Sequence, residues 1–367
     1  VKIKDIQTIP ITMVKDDPNW KTALSASPIG HGTVVKINSD KNITGIGFAG
    51  ANKPYDGVEP EILKVVFDQY VRRLAGRDPF DIEKIINELD EIPPSEISAG
   101  NPVDILNAGI SARSSIDIAL HDLKAKAAGW PVYQLLGGMV REEVPILRMI
   151  GIKEPAEMAQ NALRLTKEGY KYVKIKLEGN PDKDLARVRA VREAVGPAIH
   201  LTTDPNQSYS AEGAIAAIRS WKPYDIEMAE QPVPENDFAG MVKVSRNVDC
   251  LIEAHECAKT ADNVFRLMKD GFTGFVSLGV THGGLRETRR VADVCKLGNV
   301  KCLLACVGSS ILSAASLHLA AATTNISYAC QIAEFGRFVN DPASGIVVDH
   351  GIMRVPTRPG LGIELSI

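Results

Sequence analysis

Two lysines share one face of the stretch YVKIKLEG, residues 172–179, where Val173, Ile175 and Leu177 alternate with Lys174 and Lys176. The alternation is that of a buried strand, and like charges two positions apart on one face need either water or a strongly negative partner. Candidate partners follow downstream. AIHLTTDPNQ closes on Asp204 and Asn206, DIEMAEQP on Glu230, and CLIEAHE on His255 and Glu256. Asp204 and Glu230 are 26 residues apart, and so are Glu230 and Glu256. One βα unit has about that length, so residues at this interval are expected at equivalent heights on neighbouring strands. Three carboxylates brought together in a partly dry site repel one another. A hard divalent cation with oxygen ligands removes the repulsion, Mg²⁺ most naturally and Mn²⁺ as the alternative. Should His255 replace Glu256 as third ligand, its nitrogen would favour a softer ion such as Mn²⁺ or Zn²⁺.

The elements needed to position these groups are legible along the chain. Residues 1–125 read as α+β: VKIKDIQTIPITM, HGTVVKINSD and NITGIGFAG form an antiparallel meander. Helices follow in EPEILKVVFDQYVRRLAG and DPFDIEKIINELDEI, the second with Asp78 as cap and Pro79 in its first turn. The segment 93–102 reads as loop, and 105–129 as a long helix ended by Gly129. From about residue 140, short apolar runs alternate with amphipathic stretches. VPILRMIG, YVKIKLEG, AIHLTTDPNQ, DIEMAEQP, CLIEAHE, GFVSLGV, VKCLLACV and YACQIAEF make eight candidate strands. The pattern predicts an α/β (β/α)8 barrel over 126–335, with the strand ends carrying the chemistry. The tail 336–367 returns to short strands and Pro/Gly turns, and is expected to pack on the N-terminal domain.

Composition narrows the class. Of the 367 residues 45% are hydrophobic and 24% charged, and 42 basic against 45 acidic residues leave a net charge of −3. That balance offers no electrostatic footprint for nucleic acid or an anionic membrane. The longest apolar window, 303–322, is broken by serines and His318, and the N-terminus shows no signal-peptide core. Six cysteines without a CxxC pair read as buried free thiols of a cytoplasmic protein.

Lys-x-Lys on one strand, Asp-x-Asn on the next, Glu-Gln-Pro on the third and an acidic fourth end resemble the enolase superfamily. The branch resembled is that of mandelate racemase and muconate lactonizing enzyme. LAGRDPFDIEKI, SSIDIALHDLKAKAAGWPVYQLLGG and RPGLGIEL extend the resemblance over nearly the whole chain. It implies a capping domain on a modified barrel, a small carboxylate substrate, further copies of the chain in a homo-oligomer, and abstraction of the proton α to the metal-bound carboxylate to give an enediolate intermediate. Lys176 is then the base and Lys174 its neighbour, each ammonium lowering the pKa of the other. Asp204, Glu230 and Glu256, or His255 instead, hold the metal, and Asn206 orients substrate or water. Arg148 on the first barrel strand either meets a substrate carboxylate or forms a salt bridge. Asp16, Asp17, Trp20, Lys21 and Tyr55 lie in capping loops that, by resemblance, choose the substrate.

Two departures bear on the reaction. The fourth of these motifs, at the end of the fifth barrel strand, usually reads Asp-Glu-Ser in this branch, and here reads His255-Glu256-Cys257. On the sixth strand, counting back from Gly283-Gly284, Leu278 holds the place of a second lysine, with Ser277 beside it. A base on one face only favours a one-base reaction: β-elimination, or isomerisation on a single lysine. The alternatives are a racemase or epimerase using a second base such as His255, and a non-catalytic binder of metal and carboxylate. His282 reads as a loop residue, and His31, His121, His318 and His350 as structural or exposed.

Overall fold

The computed structural model describes residues 1–53, 57–97 and 100–367. Strands β1 (Ile3–Val14), β2 (Ile29–Ser39) and β3 (Thr44–Gly50) form the antiparallel meander, in the order β1-β2-β3. Helix α1 (Pro60–Leu74) and helix α2 (Ile82–Asp90) cover it. Helix α2 begins after, not at, the expected Asp78-Pro79. Asp78 accepts a hydrogen bond from the Phe80 amide at 3.0 Å, capping a turn that precedes the helix. Leu63, Phe67 and Tyr70 of α1 and Ile85, Ile86 and Leu89 of α2 share a core with Val35 and Ile37 of β2.

The long helix α3 (Pro102–Ala128) also differs at its start from the expected 105. Asn101 caps it, accepting from the amides of Val103 and Asp104 at 3.0 Å each, and Pro102 occupies the first turn, where a missing N–H costs nothing. Gly129 ends it as expected, with φ of 70°. The helix lies almost on the backbone of β3: a Cβ on Gly47 would stand 1.9 Å from the Ser115 carbonyl oxygen. Within this contact Asp122 accepts from the amides of Ile46 (2.9 Å) and Leu361 (2.7 Å) and from Lys126 (2.7 Å). One buried carboxylate thereby joins the meander, the long helix and the C-terminal segment.

After the short helix α4 (Val132–Leu135) and strand β4 (Glu143–Pro145) comes the barrel. Its parallel strands are β5 (Leu147–Ile150), β6 (Tyr172–Lys176), β7 (His200–Asp204), β8 (Ile226–Glu230), β9 (Leu251–Ala254), β10 (Phe275–Leu278) and β11 (Lys301–Leu304). They pair in sequence order from β5 to β11. The eighth place is taken by the segment within YACQIAEF, where Cys330 bridges Ile146 and Gln331 bridges Ala305, both in parallel. This is the modified barrel expected, closed by isolated bridges in place of a full eighth strand. Helices α5 (Pro155–Lys167), α6 (Pro181–Val195), α7 (Ala211–Ser220), α8 (Phe238–Asn247), α9 (Ala261–Lys269), α10 (Gly284–Leu297) and α11 (Ser310–Ala322) join successive strands. The eighth is followed by a 3-10 turn at Glu334–Arg337. The tail then runs beside β1, where Val339 donates to the Val14 carbonyl at 2.9 Å, and pairs residues 352–354 with β4. All six cysteines are free, five of them buried. Among the described residues no helix is long and apolar enough to cross a membrane.

His318 sits on α11 with its ring 5.7 Å from that of Tyr133, and burial pushes its pKa down to about 4. The unfolded chain takes up this proton near pH 6.5, the folded chain only near pH 4. Stability is therefore full above pH 6.5 and drains as pH falls toward 4, by about 3 kcal/mol. His318→Leu should flatten that part of the profile. Urea midpoints at neutral pH and near pH 4.5 check it, and an unchanged difference between parent and variant would contradict the assignment.

Candidate active site

Strand parity divides the barrel side chains. Met228, Phe275, Leu303 and Ala305 form a small apolar floor inside the lumen, while Val173, Ile175, Val276 and Leu278 join the larger core outside it. Lys174 and Lys176 alternate with Val173 and Ile175 and so face inward, above that floor. Both are nearly inaccessible.

Hydrogen-bond register sets Lys176 opposite Asp204, and Glu230 opposite Glu253. The expectation from the 26-residue interval is corrected here. The neighbour of Glu230 at equal height is Glu253, and Glu256 stands three residues further along, in the turn above the strand. Parity shows why: in CLIEAHE the residues sharing a face are Glu253 and His255. The backbone then bends at His255 (φ −125°, ψ −79°) and brings Glu256 back over the lumen.

Each lysine has its own set of carboxylates. Lys174 contacts Glu230 and lies 3.2 Å from Glu253 Oε2. Lys176 contacts Asp204 and reaches Asn206 Oδ1 at 3.2 Å. Asn206 in turn donates through its backbone amide to Asp204 Oδ1 at 2.8 Å, from the left-handed conformation that the Asp-Pro-Asn turn imposes. Burial would lower the pKa of Lys174, but Glu230 and Glu253 outweigh it and hold it well above the ordinary lysine value. The expected mutual depression of the two ammonium groups is thus overturned at Lys174, because two carboxylates stand nearer to it than any depressing effect of Lys176 can offset.

Glu230, His255 and Glu256 form the second constellation. One ligand atom from each lies within 4.8 Å of the others. His255 Nδ1 is 2.8 Å from Glu230 Oε1 and 3.7 Å from Glu256 Oε2. Glu256 Oε2 is buried without a hydrogen-bond partner. Asp204, turned to Lys176, stands outside this triad, yet close enough that burial and the charge of Glu230 push its carboxyl up to about 6. Burial and Glu230 likewise push Glu253 up to about 7. Against burial, the Glu230 carboxylate raises His255 to about 9. Four carboxylates thus crowd around two ammonium groups and one imidazole, and the Glu256 oxygen is left without a hydrogen-bond partner. A divalent cation fits this donor set.

Gln231, absent from the sequence-based selection, holds the triad in place. Its Oε1 accepts from the amides of His255 (3.1 Å) and Cys257 (3.2 Å), its Nε2 donates to the Val233 carbonyl, and its φ is positive at 33°. A buried non-glycine residue in this region is strained, and such strain persists where surrounding bonds over-determine it.

Residues 9–137 match the family described as mandelate racemase / muconate lactonizing enzyme, N-terminal domain, and residues 157–366 match the enolase C-terminal domain-like family. The chain belongs to the enolase superfamily. It is 30% identical to the hydrophobic dipeptide epimerase of Enterococcus faecalis, over 99% of this chain and 100% of that one. The crystal structure of that epimerase with Mg and the dipeptide L-Leu-L-Tyr superposes with a TM-score of 0.90. The dipeptide epimerase of Methylococcus capsulatus, solved with Mg and L-Arg-D-Lys, is 27% identical with a TM-score of 0.88 and 99% coverage of both chains. Chloromuconate cycloisomerase of Cupriavidus necator is 26% identical over 88% of this chain and 86% of its own.

As a superfamily member the chain departs most clearly at β10. Leu278 does not stand across the lumen from Lys176: it packs in the outer core, and by parity with Phe275 the inward residue is Ser277. Counting back from the glycines misassigns the position because the turn Val280–His282 sets the spacing, not the strand. That turn carries His282 to the site. It is the loop residue expected, and its ring centre is 6.1 Å from that of His255. Burial and the charge of His255 push His282 down to about 3, leaving a neutral imidazole.

The remaining candidates lie further out. Arg148 pairs in register with Val173, on the outer face of β5, and its guanidinium donates to the Ala333 carbonyl at 2.6 Å and pairs with Glu334 at 3.4 Å. Of the two expectations for it, the salt bridge is the one found. Trp20 is wedged over Gly151 at the end of β5, with the Arg337 guanidinium 3.5 Å above its ring. These residues border a cavity of about 370 Å³ between α5 and the C-terminal segment, which none of Lys174, Lys176, Asp204, Glu230, His255 and Glu256 lines. Tyr55 lies outside the described residues.

Proposed function

We propose that the protein epimerises or racemises a small amino-acid-derived carboxylate by moving the proton α to the carboxyl group. One observation carries this reading. Lys176 ends the second barrel strand and His282 follows the sixth, four strands apart in a ring of eight, with Glu230, His255 and Glu256 on the arc between them. Inversion needs one proton carrier on each side of the trigonal carbon, and this arrangement supplies an amine and a neutral imidazole.

In this reading Glu230, His255 and Glu256 hold a divalent cation, with Asp204 beside them. When bound, the cation supplies positive charge at the substrate carboxylate and so acidifies the α-carbon. Lys174, kept charged by Glu230 and Glu253, adds a fixed ammonium whose attraction grows as negative charge develops. Lys176 takes the proton on its side, and Asp204 and Asn206 hold its amine in position beforehand. On the other face the neutral His282 imidazole takes the proton of the opposite enantiomer, and the imidazolium so formed is the group that gives a proton back when the reaction runs in reverse. Gln231 keeps the end of the fifth strand, β9, rigid, so the donors need not reorganise during the step. The names of the relatives favour a dipeptide or an N-acyl amino acid as the substrate class.

A second reading rests on Ser277. The inward residue of the sixth strand carries no base, which suits a one-base reaction, elimination or isomerisation on Lys176 alone. Proton NMR in D₂O on a panel of dipeptides, N-acyl amino acids and hydroxy acids separates the two. Deuterium incorporation with inversion supports epimerisation, and exchange with retention supports the one-base reading. His282→Ala should lower inversion by about 10²–10⁴-fold while exchange from the lysine side persists. Inversion at the parental rate in that variant would remove His282 from the mechanism. Absence of exchange across the panel, with cation binding demonstrated, would leave a binding protein.

A further inference from the structure

The donor set of the triad differs in kind from the all-oxygen set that the 26-residue spacing predicts. From its atoms we infer that the site selects a nitrogen-accepting first-row ion, Mn²⁺, Co²⁺ or Zn²⁺, over Mg²⁺. The inference rests on the cation site of the proposed function but concerns its metal, not its reaction.

Three observations carry it. His255 Nδ1 stands between two carboxylates, 2.8 Å from Glu230 Oε1 and 3.7 Å from Glu256 Oε2, so the residues that would hold a cation here include an imidazole. Gln231 ties down the backbone on both sides of Glu256, at the amides of His255 and Cys257, and so fixes where both side chains leave the chain. The oxygen that would replace this nitrogen is otherwise engaged: Asp204 Oδ2 is held by Lys176 and also accepts from Asn206 Nδ2 at 3.2 Å. Mg²⁺ is a hard ion that demands near-octahedral oxygen ligation and dehydrates reluctantly. Imidazole suits borderline ions, and a site with one nitrogen and two carboxylate donors shifts selectivity toward them. The relatives from Enterococcus faecalis and Methylococcus capsulatus were solved with Mg, so the same barrel position in this chain would carry a different ion preference.

The test compares the full chain with His255→Asp and His255→Gln, after chelator treatment, by isothermal titration with Mg²⁺, Mn²⁺, Co²⁺ and Zn²⁺. Almost any site binds transition ions more tightly than Mg²⁺, so the change between variants is the measure. His255→Asp should narrow the preference for Mn²⁺ and Co²⁺ over Mg²⁺ by at least about tenfold, and His255→Gln should weaken both by about 10–100-fold with Mg²⁺ little affected. Pulsed EPR of the Mn²⁺ complex gives a readout independent of turnover and of affinity: ¹⁴N modulation from the imidazole, present in the parent and lost in both variants. Circular dichroism identifies any variant that fails to fold, and the EPR of the parent then decides alone. Absence of ¹⁴N coupling in the parent, or equal selectivity in parent and folded variants, overturns the inference. The two readings fail separately. Nitrogen-ligated metal without α-proton exchange sinks the reaction and leaves the metal preference, and exchange supported by an all-oxygen Mg²⁺ site does the reverse.

Discussion

Lys176→Ala should lower α-proton exchange of the enantiomer that presents its proton to the lysine about a thousandfold, the middle of the range that general bases contribute, with cation affinity close to that of the parent. The amine ends β6, is 5% exposed and is held by Asp204 and Asn206, not by the triad that would bind the ion. No second amine can take over, because Lys174 is bound to Glu230 and Glu253 and stays charged. Truncation also leaves Asp204 buried without its cation, so lost activity alone could reflect a disturbed site. Lys176→Arg separates the two effects. The guanidinium keeps the positive charge beside Asp204 but does not deprotonate in a protein, so a base is removed while the ion pair survives. Both variants should be equally slow in D₂O exchange, with the arginine variant the more stable to urea. Exchange at more than a tenth of the parental rate in Lys176→Arg would assign the proton to another group.

Lys174→Met should destabilise the fold by about 3–5 kcal/mol, the cost of removing one partner from a buried ion cluster. The side chain is fully buried between two carboxylates that are themselves almost inaccessible, Glu230 and Glu253. Without it, both carboxylates face each other in a low-dielectric lumen, where one must take up a proton or draw in water. Glu253→Gln in the same chain should recover a large part of the loss, since it removes one of the two charges left behind. Equilibrium unfolding of the two single variants and the double variant closes a thermodynamic cycle, and contacting groups of this kind couple by about 0.5–3 kcal/mol. Additive effects within error would mean that Lys174 and Glu253 do not act on each other.

The comparison of Glu253 with Glu256 shows how far the sequence could be read. Strands β6 to β9 were legible because parallel strands buried on both faces are short apolar runs, and a charged residue at their C-terminal ends stands out. The interval of 26 residues correctly singled out Asp204 and Glu230, the last residues of β7 and β8. It failed at β9 because the distance from one strand end to the next includes the loops and the helix, whose lengths vary by residues. Register depends on backbone pairing, which sequence spacing does not encode. Parity within CLIEAHE held a better signal, placing Glu253 and His255 on one face. The same rule separates Ser277 from Leu278 on β10.

Other parts of the site had no sequence signal. Gln231 reads as the middle of Glu-Gln-Pro, and only its bonds to the His255 and Cys257 amides reveal a positioning role. His282 reads as a histidine before two glycines until the turn at 280–282 brings its ring beside His255. For Arg148 the sequence allows two outcomes, and its register with Val173 decides between them.

The sequence by itself determined the architecture, a meander with helices followed by repeating strand–helix units, because burial imposes a period on apolar residues that survives without coordinates. It also determined the superfamily, since Lys-x-Lys, Asp-x-Asn and Glu-Gln-Pro occur in order at strand ends. Only the tertiary structure decided which charge faces which. Lys174 belongs to Glu230 and Glu253, Lys176 to Asp204, and His255 to Glu230 and Glu256. Those pairings depend on distances of a few ångströms between residues up to 79 positions apart, and such distances exist only once the barrel has closed.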